Sequence, residues 1–309
     1  MSIKHPIVAV TGSSGAGTST VKNAMEQIFR RSQFDAAVIE GDSYHKYDRA
    51  EMRERLRRAY EKGKNLSHFG PEGNDFAELE KTFSAYAESG TALRRYYIHN
   101  EEEAALHSTK AGSFTEWKPI PEGSDLLFYE GLHGGVVTPQ SNVARFVDLL
   151  IGVVPIVNLE WIQKIHRDTN VRGYSRDAVT DTILRRMHDY VHFITPQFSL
   201  TDINFQRVPM VDTSNPFIAR DIPTLDESMV VIRFRDPKKT GVNFQYLLNM
   251  IDGSFMSRRN NIVVPGGKMG FAMELIMQPL IEELVYNGSN RVSVATTHDR
   301  FAKNREMPV

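Results

Sequence analysis

The sequence predicts an α/β protein built on a mostly parallel, mixed sheet with helices on both faces. In the first half of the chain, short apolar runs alternate with stretches of helical periodicity, which is the pattern of parallel strands joined by crossover helices. In the second half the apolar runs follow one another more closely, which indicates antiparallel additions to the same sheet. With 309 residues, of which 41% are hydrophobic, the chain is long enough to bury a sizeable core.

The first predicted strand covers residues 7–11, a short β-branched run typical of a strand buried on both faces. After a glycine-rich turn, apolar residues at helical spacing predict a helix that Arg30 and Arg31 close. The other predicted elements are, in order, a strand at 36–39, helices at 48–62 and 76–88, strands at 126–129 and 151–158, helices at 159–168 and 177–193, strands near 207–211, 228–235 and 261–264, and a helix from Lys268 that Pro279 kinks or ends.

Composition limits the classes of function. We expect one domain over residues 1–286 and a polar, disordered tail over 287–309. The net charge of −1 argues against a bulk field for nucleic acid or a membrane surface, and no apolar run approaches the roughly 18 residues of a membrane span. The chain has no cysteine, which excludes disulfides and thiolate–metal sites. The N-terminus lacks the apolar core of a signal peptide, so we expect a cytoplasmic protein.

A glycine-rich turn lies between the first strand and the first helix, which is the context of a phosphate-binding P-loop. Glycines let successive backbone amides point inward, and the helix N-terminus adds partial positive charge. Ser19 occupies the position whose hydroxyl binds Mg²⁺ in such loops. The alternative is a glycine-rich turn that serves packing alone. The residues predicted to bind ATP are Gly12, Ser13, Ser14, Gly15, Ala16, Gly17, Thr18, Ser19 and Thr20.

The motif departs from the general pattern at Thr18, where most P-loops have lysine. Losing that ammonium removes a charge-assisted contact of about 1.5–3 kcal/mol, so a kinase of this type needs a cation from elsewhere. The basic segment 164–172 offers several and is well placed to act as a lid. This substitution argues against a generic ATPase.

Two acidic residues follow predicted strands, at the sheet edge where α/β proteins bind ligands. Asp42 comes just after the second strand and is suited to accept a hydroxyl proton or to bind Mg²⁺. Its alternative role is a helix N-cap. Glu130 ends the strand at 126–129, in the position of the second acid of P-loop proteins, and its alternative role is that of a turn residue.

Several segments together resemble the proteobacterial type of phosphoribulokinase, a family of P-loop NTPase-like fold, and the resemblance covers residues 1–285. The combination is much more specific than any one motif, and threonine at position 18 is typical of this branch. The matching segments are 12–20 (GSSGAGTST), 39–45 (IEGDSYH), 129–134 (YEGLHG), 158–168 (NLEWIQKIHRD), 197–209 (QFSLTDINFQRVP) and 262–266 (IVVPG).

The resemblance implies that MgATP phosphorylates the 1-hydroxyl of ribulose 5-phosphate to give ribulose 1,5-bisphosphate, a Calvin-cycle step. It implies that Asp42 is the catalytic base and that Lys164 and Arg167 stabilise the transferring phosphoryl group. The implied metal and phosphate residues are Ser19, Asp42, Glu130 and Asp168, and the implied sugar-phosphate residues are His45, Arg49, His99 and Arg172. Taken singly, these cations and histidines would more often be surface or structural residues.

The resemblance also implies regulation and assembly. Bacterial members are activated by NADH, inhibited by AMP and assembled as octamers, with arginines of the regulatory site at subunit contacts. Arg31, Arg233 and Arg258 stand at matching places. The implied partners are therefore a small substrate, NADH and further copies of the chain, without nucleic acid or membrane.

Two other functions stay open. A related P-loop kinase acting on a nucleoside or on pantothenate would share the loop and the acid after the second strand, but such kinases usually keep the lysine that Thr18 replaces. A non-catalytic nucleotide sensor should have lost one of the three acids Asp42, Glu130 and Asp168, and all three are present.

Overall fold

The structure, a computed structural model, describes residues 5–12 and 18–303, with side chains up to residue 287 except those of residues 18, 19, 22 and 155. The strands in this part are β1 (Ile7–Gly12), β2 (Ala36–Glu40), β3 (Leu93–Arg94), β4 (Lys118–Pro119), β5 (Leu126–Gly131), β6 (Leu149–Pro155), β7 (Ile203–Pro209), β8 (Ser228–Phe234), β9 (Phe255–Arg258) and β10 (Asn261–Pro265). The helices are α1 (Thr18–Ser32), α2 (Arg49–Glu61), α3 (Phe76–Ser89), α4 (Glu101–His107), α5 (Val157–Asn170), α6 (Arg176–Asp189), α7 (Gln197–Leu200), α8 (Phe244–Met250) and α9 (Met269–Lys303). Among the described helices, none is long and apolar enough to cross a membrane.

Eight of the described strands form one mixed sheet in the order β2–β5–β1–β6–β7–β8–β10–β9. The first five strands in this order, β2, β5, β1, β6 and β7, pair in parallel. The last three, β8, β10 and β9, continue the sheet with antiparallel pairing. This topology confirms the predicted parallel sheet with antiparallel additions. The short strands β3 and β4 pair separately as a ribbon.

Helices cover both faces of the sheet, and alternate residues of each central strand point to opposite faces. Val8 and Val10 of β1 pack into the core that the sheet forms with α1 and α9. Ile7 and Ala9 pack into a second core, which α3 completes. An apolar run without alternation is therefore what this position in the sheet requires.

Several boundaries differ from the prediction. The strand predicted near 207–211 is β7, which begins earlier, at Ile203. The prediction missed this start because buried polar residues near it interrupt the apolar pattern. One of them is Asp202, which accepts a hydrogen bond from the Leu150 amide at 3.0 Å. The elements β3, β4, α4, α7, α8 and β9 are absent from the prediction. All of them are short, and a periodic pattern needs more residues than they offer.

Helix α9 runs from Met269 to Lys303, so Pro279, where a kink or an end was predicted, does not end it, and the predicted tail from residue 287 begins inside this helix. Pro279 is exposed, while Ile276, Met277 and Ile281 on the other side of the helix are buried. The carbonyl that loses its partner to a proline can then face water, so packing of the opposite side holds the helix together. Residues 304–309 of the predicted tail lie outside the described residues.

Two glycines at the ends of neighbouring strands bring the loops after β2 and β5 into contact. A Cβ on Gly41 would lie 2.6 Å from the Tyr129 hydroxyl and 2.9 Å from the Gly131 Cα. A Cβ on Gly131 would lie 2.7 Å from the Gly41 Cα. Side chains larger than hydrogen do not fit between these backbones, so this edge of the sheet requires the glycine in both Glu-Gly pairs.

We expect Gly41→Ala to destabilise the fold by about 1–3 kcal/mol, because the added methyl overpacks a site walled by backbone and a buried ring. Gly270→Ala is the matched control, since a Cβ there meets Thr20 at an ordinary 3.6 Å and the residue lies in α9. The control should keep or raise stability, because alanine favours helix over glycine. Urea unfolding measures both, and equal stability of Gly41→Ala and the parent chain would contradict the close contact.

Candidate active site

The predicted phosphate loop begins where β1 ends. Residues 13–17 and the side chains of Thr18 and Ser19 lie outside the described part, so their roles stay predictions. Gly12 is described, and a Cβ on it would lie 2.3 Å from the Val153 carbonyl oxygen, so this position requires glycine. Helix α1 begins at Thr18, so the predicted phosphate loop has a strand before it and a helix after it, as a phosphate loop needs.

Asp42 lies in a short 3₁₀ turn over Gly41–Tyr44, directly after β2, which we call the Asp42 turn. Its side chain is 43% exposed, and Oδ1 lies 3.6 Å from His45 Nε2. The N-cap of α2 is Asp48, whose Oδ1 accepts from the Glu51 amide at 2.7 Å. Asp42 is therefore not that cap, and its half-exposed carboxylate at the sheet edge is available to a ligand.

Three histidines from separate loops gather next to Asp42. The rings of His45 and His68 lie 4.2 Å apart, and His133 Nε2 lies 3.0 Å from the Phe69 carbonyl, to which it donates. Burial lowers the pKa of His45 and of His68 to about 3, and that of His133 to about 4. All three rings are therefore neutral at neutral pH and can bind a ligand by hydrogen bonds without adding charge.

Arg49 and His99, both predicted to bind the sugar phosphate, lie together. Arg49 Nη2 donates to the His99 carbonyl at 2.8 Å, and the guanidinium carbon lies 5.9 Å from the Tyr97 ring centre. The Tyr97 ring also contacts His45 edge to face at 5.9 Å. The structure thus gathers His45, Arg49 and His99 around Tyr97, which the sequence analysis did not predict, and Asp42 lies next to His45.

Glu130 stands beside Glu40 in the parallel register of β5 and β2, so two carboxylates share this edge of the sheet. Glu40 Oε2 lies 4.0 Å from His99 Nε2. Glu40 was missed because it reads as the last residue of a strand, and only the pairing with β5 shows that it lies beside the predicted acid.

The predicted basic segment forms one ion-pair cluster centred on Asp168, whose side chain is 7% exposed. Lys164 donates to Asp168 Oδ2, and both Arg167 Nε and Arg172 Nη1 lie 3.1 Å from Oδ1. Burial tends to raise the pKa of Asp168, but the hydrogen bonds and charges of Lys164 and Arg167 outweigh it and lower that pKa. Asp168 is thus a carboxylate that organises cations, and its predicted metal role stays a prediction.

Arg186 of α6 is a further cation that the sequence analysis missed. It is partly buried, its guanidinium carbon lies 5.6 Å from the Phe69 ring centre, and burial lowers its pKa to about 10. After burial itself, the charge of Arg186 is among the causes that lower the pKa of His45 and of Lys164. Arg186 therefore lies within electrostatic reach of both the histidine group and the Asp168 cluster. In the sequence it is one arginine of a predicted helix, with nothing to mark it.

The three arginines predicted to be regulatory do not form one site within a single chain. Arg31 Nη1 pairs with Glu274 Oε2 at 2.7 Å, in the helical layer of α1 and α9. Arg233 and Arg258 are both register partners of Asn261, so they lie in one row across β8, β10 and β9, and the register of β10 with β9 shifts beside Asn261. Arg233 faces away from the α1–α9 layer, since its neighbours Ile232 and Phe234 pack into that layer.

The arrangement suits phosphoryl transfer. Asp42 offers a carboxylate base beside a group of hydrogen-bonding rings, and Lys164, Arg167 and Arg186 offer positive charge for phosphate oxygens. Mg²⁺ is commonly held by one or two carboxylates together with water and phosphate oxygens. Asp42 and Glu130, as oxygen donors at adjoining strand ends, fit that requirement.

We expect His133→Gln to reduce the acid sensitivity of the fold. The folded pKa of about 4 lies below the value of 6.5 for an unhindered histidine, so the unfolded chain takes up the proton first. This contribution to stability is complete above about pH 6.5 and falls towards pH 4. Glutamine keeps a donor for the Phe69 carbonyl but does not titrate. Between about pH 7 and pH 5, the variant should lose about 2 kcal/mol less unfolding free energy than the parent chain.

Urea unfolding at both pH values measures this difference. The exposed His107, replaced by glutamine in the same way, should leave the acid sensitivity unchanged. If His133→Gln and the parent chain lost equal stability, His133 would not be a neutral, buried ring in the folded protein.

Comparison with known proteins agrees with this geometry. The model of the phosphoribulokinase / uridine kinase family matches residues 7–214. A protein of Nitrobacter vulgaris named phosphoribulokinase is 63% identical over 91% of this chain and 97% of its own length. One of Escherichia coli K12 named probable phosphoribulokinase is 59% identical over 92% of this chain and 98% of its own length. The solved structure of phosphoribulokinase from Rhodobacter spheroides is 56% identical, with a TM-score of 0.86 over 93% of this chain and 100% of that one.

The family match covers more than half of the chain, and the relatives align over nearly all of it. The fold, the acids at the strand ends and the basic cluster are those expected of such a kinase. The chain belongs to the phosphoribulokinase / uridine kinase family.

Proposed function

We propose that this chain is a phosphoribulokinase, which transfers the γ-phosphoryl group of MgATP to the 1-hydroxyl of ribulose 5-phosphate and so makes ribulose 1,5-bisphosphate, the acceptor of carbon dioxide in the Calvin cycle. The observation that carries the proposal is the grouping of Asp42 with His45, Arg49 and His99. A base beside hydrogen-bonding rings and an arginine suits a small, hydroxylated, anionic acceptor. The names and identities of the relatives support the same reaction.

In this mechanism Asp42 accepts the proton of the 1-hydroxyl as that oxygen attacks the γ-phosphorus. The bond between the γ-phosphorus and the bridging oxygen breaks, and ADP leaves with the bond's electron pair. When bound, Mg²⁺ neutralises charge on the β- and γ-phosphates, and Ser19, Asp42 and Glu130 are the proposed residues around it. Because phosphoryl transfer is mostly positioning and charge neutralisation, the protein's main task is to hold these groups in line.

The cations of the basic cluster would replace the lysine that Thr18 lacks. Hydrogen bonds to Asp168 already hold Lys164 and Arg167 in place, so these side chains lose less conformational freedom when phosphate binds. Burial lowers the pKa of Lys164, but its pairing with Asp168 favours the charged form. Arg186, within electrostatic reach of both groups, would then contact phosphate oxygens between donor and acceptor.

The sugar phosphate would lie against His45, Arg49, His99 and Arg172. Arg49 and Arg172 offer charged forks suited to a phosphate, whereas the neutral ring of His45 suits a hydroxyl. Arg172 reaches Asp168 from the loop after α5, so closure of that segment over the acceptor would bring the two sets of residues together.

Regulation and assembly follow from the same resemblance. We propose that the enzyme is cytoplasmic, that it forms a homo-oligomer, an octamer by resemblance, and that NADH activates it at a site to which Arg31, Arg233 and Arg258 contribute. Since Arg31 lies in the helical layer on the other face of the sheet from Arg233, such a site would have to combine arginines of different subunits.

An acceptor comparison tests the proposed reaction. Release of ADP from MgATP is measured with ribulose 5-phosphate, uridine and pantothenate in parallel, each with and without NADH. We expect turnover on ribulose 5-phosphate alone, and a higher rate with NADH. Turnover only on uridine or pantothenate would keep the kinase and reject the acceptor. Binding of ATP without turnover on any acceptor would favour a nucleotide sensor.

A further inference from the structure

The Asp42 turn needs donors for its backbone carbonyls, because a helical turn leaves its last carbonyls without partners inside the helix. Two of these carbonyls are satisfied by nearby amides. The Asp42 carbonyl accepts from the His45 amide at 3.2 Å, and the Tyr44 carbonyl accepts from the Asp75 amide at 2.8 Å. Two carbonyls remain: that of Ser43, inside the turn, and that of His45, the residue that directly follows it.

Both remaining carbonyls accept from one side chain, that of Arg95. Its Nε donates to the Ser43 carbonyl at 2.8 Å, and its Nη2 donates to the His45 carbonyl at 2.8 Å. A guanidinium offers donors in a rigid, planar fork, so the two bonds fix the turn more firmly than two independent side chains would. The positive charge also complements the negative end of the short helix.

Aromatic residues hold the Arg95 guanidinium in place. Its Cζ lies 3.8 Å from the Phe114 ring centre and 4.8 Å from the Trp117 ring centre. Trp117 in turn contacts the buried ring of Tyr44 edge to face at 5.8 Å. Burial lowers the pKa of Arg95, but an arginine keeps its proton. Packing against these rings therefore fixes the orientation of the Arg95 guanidinium before any ligand binds.

We propose that Arg95 is a positioning residue for Asp42: by holding the carbonyls at positions 43 and 45 it sets the orientation of the turn that carries the base. The proposal rests on the proposed role of Asp42. Without the fork, two partly buried carbonyls lose their partners, and the turn gains conformations in which the carboxylate no longer meets the acceptor hydroxyl. Small misplacements of a reacting group lower the rate steeply.

The test combines Arg95→Met with Asp42→Asn. We expect Arg95→Met to lower kcat about 30-fold and to change the ATP KM by less than about twofold, because the nucleotide site is untouched. In the Asp42→Asn background the same change should alter the residual rate by less than about twofold, since there is no base left to misplace. Arg95→Lys keeps the charge without the fork and should show an intermediate loss.

Arg94→Met is the matched control. Arg94 also stacks on an aromatic ring, with Cζ 5.3 Å from the Tyr96 centre, and also donates to a backbone carbonyl, that of Val38 at 3.3 Å. It does not hold the Asp42 turn, so its loss should leave kcat within about twofold of the parent chain. Thermal unfolding of every variant separates loss of fold from loss of positioning. If Arg95→Met does not fold, Arg95→Lys carries the same double-variant test.

Two results would overturn the proposal: kcat of Arg95→Met equal to that of the parent chain, or an equal loss with and without the Asp42 carboxylate. The second result would mean that Arg95 acts independently of the base. Failure of the underlying assignment is distinguishable, because Asp42→Asn alone would then turn over at the parent rate, whatever Arg95→Met does.

Discussion

The contact between Gly41 and Gly131 is the constraint on which the rest of the site depends. The parallel register of β2 and β5 aligns Glu40 with Glu130, and the two glycines then let the following loops touch without side chains between them. This contact fixes where the Asp42 turn begins, and therefore which way the carboxylate points. Arg95 holds the other end of the turn. The backbone around Asp42, the proposed base, is thus held by two contacts, while its side chain stays half exposed.

The positive charges of the candidate site lie on arginines and one lysine rather than on its buried histidines. The three histidines next to Asp42 are neutral because they are buried, so positive charge in their surroundings comes from arginines. Lys164, Arg167 and Arg172 share one buried carboxylate, Asp168, which keeps mutually repelling cations on one short segment. In the proposed mechanism these cations take the place of the lysine that the P-loop lacks at Thr18.

Sequence periodicity predicted the parallel sheet and the acids at its edge, because strand ends and loops leave local signals at residues such as Asp42 and Glu130. The pattern did not reveal Glu40, His68, Arg95 or Arg186, since each gains its place through a partner far along the chain. Pro279 does not end α9 for a related reason: the opposite side of the helix is packed, and the local sequence does not show that packing. Family resemblance implied a phosphate-binding role for Lys164 and Arg167, which taken singly are ordinary helix cations.

Replacing the base tests the account most directly. Asp42→Asn keeps the size and the turn but cannot take a proton, so kcat on ribulose 5-phosphate should fall by about 100- to 10,000-fold. Affinity for ATP, measured by calorimetry, should change by less than about twofold. Asp48→Asn, which retains a capping side chain for α2, serves as the control and should keep normal turnover. Unchanged kcat in Asp42→Asn would contradict the central claim that the acid at the end of β2 is the catalytic base.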